Sequence, residues 1–279
     1  MSVKIVTDST SNLTPKIAKE LGIIVIPLNV HFETEVYRDN VDLTPEDFYR
    51  RLSLNKHLPT TSAPTPAVFA DIYDKLADET DEILVLTISS NLSATYEAAI
   101  AGSQVRKSKT RLEIVDSRLA ISALGLTAIT AAKAARVGGS LNDILNIIDS
   151  CRQRIDLRIA FDTLEYLRRG GRIGTVKALL GAALNFNPIL TIKDGVTHPV
   201  TRVRSRAKAL SYLCNFIMGF TEIEEMAIED AVTPQDAEMI VEQISSKVPG
   251  VRIYRMKVSP VIGTHVGPHV IGVSVLPRS

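Results

Sequence analysis

The sequence predicts an α/β protein of two domains, an N-terminal one on a mostly parallel, doubly wound sheet and a C-terminal α+β one with antiparallel strands. Over residues 1–155, short runs rich in Val and Ile alternate with helical patterns, the order a parallel sheet covered by helices requires. From residue 156 to 279 the rhythm changes, and "NPILTIKDGVTHPVTRV" reads as two strands joined at Asp194-Gly195, a pair suited to a tight hairpin turn. With 279 residues, 45% of them hydrophobic and 23% charged, the chain has an ordinary globular composition and length enough for both domains.

In order, "VKIVT" reads as the first strand, "TPKIAKELG" as a helix and "IIVIPLNV" as the next strand. "LPTTSAPTP" is a loop ending in a helix start, with Thr65 as the cap and Pro66 as the first helical residue. Strand "EILVLTI", a helix from Ser93, strand "RLEIVD" and the Ala-rich run "AISALGLTAITAAKAA" follow. That run contains Lys133 and is shorter than the ~20 apolar residues of a membrane span, so a buried helix is expected and no stable membrane insertion. After the helix "LNDILNIIDSCRQ" and the hairpin come the helix "RAKALSYLCNFIMG", strand "EMAIEDA", helix "TPQDAEMIVEQISSKV" and strands "VRIYRMK" and "HVIGVSVL".

The 32 basic and 31 acidic side chains leave a formal charge of +1, which gives no general attraction to nucleic acid or anionic membrane. Cys151 and Cys214 lie in helical segments outside any metal or redox spacing and read as buried thiols; no metal and no cofactor is expected. The start "MSVKIVTDS" enters a strand without a signal-peptide core, so the expected location is the cytoplasm.

Ligands of open α/β sheets bind beyond the carboxyl ends of the strands. Three such ends, "TDSTSN", "TISSNLS" and "VDSRLA", are rich in hydroxyl, amide and carboxyl groups. Ser93 can cap the following helix or leave its N-terminus open to an anion, and Glu97 falls one place too late to complete a capping box. Thr60, Thr61 and Ser62 are left without a capping role. His265, between Gly263 and Gly267, is expected in a tight turn before the last strand, with His269 close by. Arg168, Arg169, Arg172, Arg202, Arg204 and Arg206 form the densest cationic cluster, fit for a helix C-terminus or for holding phosphate and carboxylate. "LRRGGRIG" is neither a Walker loop nor GxGxxG. A phosphate site, a nucleophile and plain capping all remain open at this level.

Taken together, "KIVTDSTSNL", "PTTSAPTP", "TISSNLSATYEAA", "VDSRLA", "LEYLRRGGRIG", "TRVRSRAKAL" and "GTHVGPHVIGV" resemble the DegV family in order and spacing across essentially the whole chain. The resemblance implies a bacterial, two-domain protein that binds one long-chain fatty acid, such as palmitate, in a tunnel at the domain junction. It implies that Thr61 and Ser93 bind the fatty-acid carboxylate with His265 close by. It further implies a partner, the catalytic subunit of a fatty acid kinase, which phosphorylates the carboxylate with ATP; this chain would hold the acid, carry the acyl phosphate and have no phosphotransferase site of its own. Arg172 and Arg202 match an exposed basic surface facing that kinase. Ala94 and His269 depart from the family pattern, each standing where glycine is usual. The alternative is a serine hydrolase or esterase using Ser93 and His265, against which stands the lack of a GxSxG elbow around Ser93.

Overall fold

A computed structural model describes residues 2–55, 57–179 and 186–278. Its first sheet is the expected parallel one, in the order β2 (Ile24–Ile26), β1 (Lys4–Asp8), β6 (Glu82–Thr87), β7 (Arg111–Asp116). The second has six strands: β10 (Val196–Val203), β9 (Asn187–Lys193), β8 (Asp156–Ala160), β13 (Ile271–Pro277), β11 (Ile223–Asp230) and β12 (Ile253–Lys257). All its pairings are antiparallel except β11 with β12, where α9 (Pro234–Ser245) supplies a helical crossover that returns the chain in the same direction.

"IIVIPLNV" is two strands. Pro27 has no N–H for a ladder, and the chain leaves the parallel sheet at β2 to begin β3 (Asn29–Phe32). With β4 (Glu35–Arg38) and β5 (Thr60–Ser62), β3 forms a small antiparallel sheet. The Thr60–Ser62 segment expected as loop is thus an edge strand, in which Thr61 pairs with Val30. Between β4 and β5 lies α2 (Pro45–Leu54), capped by Thr44. α3 (Pro66–Ala77) starts at Thr65 and Pro66 as expected, although the Thr65 side chain makes no capping bond.

The Ala-rich run is α5 (Ile121–Arg136), buried along most of its length and packed against β1 and β6 on one side and β11 and β13 on the other. Helix α6 (Leu141–Arg154) ends as β8 begins, where the sequence places the domain boundary. The largest apolar cluster runs through both halves, from Ile5 and Leu86 to Leu157 and Val270. Cys151 and Cys214 are free and buried. Among the described residues, no helix is long and apolar enough to cross a membrane.

The β9–β10 turn ties the two halves together. Asp194 (φ 52°) and Gly195 (φ 80°) are both left-handed, as a mirror-type two-residue turn requires. The Ser89 hydroxyl donates to the Gly195 carbonyl at 2.8 Å, and Asn91 Nδ2 to that of Asp194 at 3.2 Å. A Cβ on Gly195 would meet Ser89 Oγ at 2.5 Å and Asn91 Nδ2 at 2.9 Å. Gly195→Ala is therefore expected to destabilise the protein by more than about 1 kcal/mol, through turn strain and loss of this dock. Chemical denaturation checks this, and an unchanged midpoint would show that the turn does not depend on glycine.

Candidate functional site

A cavity of about 280 Å³ lies where the loops after β1, β6 and β7 meet the second sheet. Aliphatic and aromatic side chains, among them Ile88, Ile159, Phe161, Ile192, Val261 and Val270, make most of its wall. Thr61, Ser93, His265 and Arg172, from four separate parts of the chain, all line it. Thr61 arrives on β5, Ser93 in the loop before α4 (Thr95–Val105), and Arg172 just after α7 (Glu165–Arg169). His265 lies on α10 (Pro260–Val266), a helix rather than the expected turn, capped by Ser259 with Pro260 in its first turn.

Thr61 Oγ1 and His265 Nε2 are 2.8 Å apart. Burial first, and the positive charge of Arg172 second, hold the His265 pKa down to about 4, so the imidazole is neutral at neutral pH. Its Nδ1 is buried without a partner among the described residues. Arg172 is half-buried, not exposed: its Nε donates to the Leu92 carbonyl at 3.1 Å and its Nη1 to that of Gly170 at 2.7 Å. Ser93 Oγ lies 2.8 Å from Thr95 Oγ1, and the helix cap falls to Ala94 without a side-chain bond. Ala94 has φ −75° and ψ 16°, open to any residue, so a methyl in place of glycine strains nothing there. His269, by contrast, stands at φ 62°; its side chain is exposed and does not line the cavity.

The other polar groups of the hydroxyl-rich loops hold the frame. Ser90 donates to Asp116 at 2.6 Å, and the buried Asp8 carboxylate accepts from the N–H of Ile88 at 2.7 Å. Ser89 and Asn91 grip the hairpin. Of the arginine cluster, Arg206 is committed to Asp236 and Asp162, and Arg168 and Arg169 share Glu165. Arg202 is exposed on β10, its guanidinium 5.2 Å from the Phe186 ring centroid.

Sequence reasoning missed the acids beneath the cavity. Glu229, on its wall, accepts from Asn12 Nδ2 at 2.6 Å and from the Ser122 hydroxyl at 2.6 Å, while Asn12 Oδ1 accepts from the N–H of Ser259 at 3.1 Å. The backbone N–H of Ser122 also points at Glu229, and the residue before it, Ile121, sits at φ 53°, costly for a β-branched side chain. Asp39 accepts from the N–H of Val261 at 3.2 Å, in the first turn of α10. An acid inside the apolar run of "EMAIEDA" is the signal that points to Glu229. Among the described residues no three His, Cys, Asp or Glu gather as a metal would need.

Burial pushes the Asp8 pKa up to about 6 and that of Asp39 up to about 7, so the folded chain retains protons that the unfolded chain releases. Their effect is a loss of stability as pH rises from about 4 through 7. His265 acts oppositely, its contribution being complete above the unfolded value of 6.5 and lost as pH falls through about 4. Asp39→Asn keeps an acceptor for Val261 and cannot ionise; it is expected to lessen the fall in denaturant midpoint between about pH 5 and pH 8. A slope identical to that of the parent would exclude Asp39 as a source.

Comparison with known proteins places this geometry in a family. The DegV family model matches residues 2–278. A DegV domain-containing protein of Deinococcus radiodurans is 34% identical over 100% of both chains, and DegV of Bacillus subtilis is 29% identical over 98% of each. Among solved structures, a fatty-acid-binding DegV family protein of Thermus thermophilus superposes with a TM-score of 0.89 at 31% identity, over 100% of both chains. The crystal structure of DegV, a fatty acid binding protein from Bacillus subtilis, gives 0.91 at 28%, again over 100% of both. The chain belongs to the DegV family.

Proposed function

We propose that the chain binds one long-chain fatty acid in the apolar cavity, with the carboxylate held by Thr61 and Ser93 beside His265. The observation that carries this reading is a mostly apolar cavity into whose wall the hydrogen-bonded Thr61–His265 pair, Ser93 and Arg172 are set, a lining suited to an amphiphile with a long tail and a polar head group. Solved relatives that bind fatty acids support it. About 14 buried methylenes supply ~11 kcal/mol before ordering costs, so the tail provides the affinity.

The head group is held by neutral donors. Thr61 has a single hydroxyl proton, and for it to donate to a carboxylate its oxygen must accept from His265 Nε2–H. The neutral imidazole meets that need when its proton is on Nε2, which leaves the unpartnered Nδ1 bare. A relay from His265 through Thr61 thus aims a hydrogen bond at the carboxylate without the tight ion pair that would tie up both oxygens.

The acid so held is the acceptor for an ATP-dependent kinase subunit. A carboxylate oxygen forms the new O–P bond as the bond from the γ-phosphorus to the departing ADP breaks, and no proton need leave the nucleophile. Arg202, exposed on β10, and the edge of Arg172 are the cations such a partner would meet. A hydrolase reading has less support, since His265 bonds Thr61 while Ser93 bonds Thr95.

Mass spectrometry of lipids extracted from the purified protein is expected to find one fatty acid per chain, and Thr61→Val with Ser93→Ala to lower its affinity about tenfold or more with folding retained. An empty protein that turns over esters without a partner would overturn this reading. Arg202→Ala is expected to retain lipid and lose acyl phosphate formation in assays with a fatty acid kinase subunit; loss of lipid would place that arginine in the site instead.

A further inference from the structure

Beside the residues proposed to hold the head group lies a second space. Thr61, Arg172 and His265 line the apolar cavity and also a separate groove of about 390 Å³. Thr60 and Arg169 form part of the groove's remaining wall. The two spaces meet at the Thr61–His265 hydrogen bond, and their chemistry differs. The wall of the cavity is mostly aliphatic and aromatic; the groove adds Arg169 to the Arg172 that both spaces share.

A phosphoryl group joined to the clamped carboxylate has one favourable side to occupy. Deeper in the cavity it would exchange hydration for a wall that is mostly aliphatic and that also carries the acid Glu229. In the groove it meets Arg169, whose side chain is 56% exposed, and the edge of Arg172 not committed to the Leu92 and Gly170 carbonyls. Glu165 is the carboxylate bonded to Arg169, and it serves Arg168 as well. Three arginines therefore face one acid, and the local balance stays positive. Guanidinium groups suit phosphate oxygens because their paired N–H groups match them in spacing and direction.

We infer that this outer groove seats the phosphoryl group of an acyl phosphate whose acyl chain fills the cavity, with Arg169 and Arg172 as its cationic partners. The inference rests on the fatty-acid reading above and adds where the transferred group comes to lie. Arg169, absent from the residues that line the acyl cavity, becomes the side chain that tells product from substrate.

The probe is a long-chain β-ketophosphonate, in which a methylene replaces the bridging oxygen of the acyl phosphate, compared with palmitate on the same protein. Arg169→Ala is expected to weaken ketophosphonate binding about tenfold or more and palmitate binding less than about twofold, and Arg169→Lys to recover part of the loss. An equal loss for both ligands, or no loss for the ketophosphonate, would overturn the groove assignment. Failure of the parent protein to bind palmitate would overturn the fatty-acid reading itself, which separates the two outcomes.

Discussion

The carboxylate of Glu229, shut away from water between the two sheets, is the group on which the arrangement of the site depends. A buried acid must have its oxygens satisfied, and here the donors come from distant parts of the chain: Asn12 after β1 and Ser122 at the start of α5. Asn12 in turn accepts from Ser259, the residue that caps α10. One acid thereby fixes the second sheet, the central helix, the first strand's loop and the helix bearing His265 relative to one another. Taking away any member would leave the others buried with unmade bonds, which is costlier than the bond itself.

The polar loops at the carboxyl ends of the parallel strands divide into frame and site. Between Ser89 and Thr95, two side chains hold the hairpin of the second sheet, one holds Asp116, and Thr95 meets Ser93. Ser93 alone among them lines the cavity. The abundance of hydroxyls there reflects how many backbone and carboxylate groups must be satisfied where two sheets meet, and only a small part of it concerns a ligand.

The parallel sheet, the Asp194-Gly195 hairpin and the buried cysteines were legible because each has a local cause: period, turn chemistry or spacing. The small antiparallel sheet was not, since Thr60–Ser62 has its partner in β3, and nothing near it in the sequence marks a strand of three residues. Helix α10 carried a readable start in Ser259-Pro260, masked by the glycines around His265, which suggested a turn. The half-burial of Arg172 and the role of Glu229 depend on contacts across the fold, and composition is blind to those. Thr61, Ser93 and His265 were reached through the family resemblance, and all three line one cavity.

Two glycines give the junction of α7 and α10 a property of its own. A Cβ on Gly170, which ends α7, would strike Nδ1 of His265, and one on Gly267, which ends α10, would strike the ring of Tyr166 on α7. Each helix leaves a notch that the other's side chain fills, so the pair interlocks in both directions and neither can slide alone. Arg169 is the last residue of one member of the pair, Arg172 follows it by three positions, and the imidazole belongs to the other. A force applied to Arg169 from outside would therefore reach the Thr61–His265 hydrogen bond through this packing, with no moving lid required.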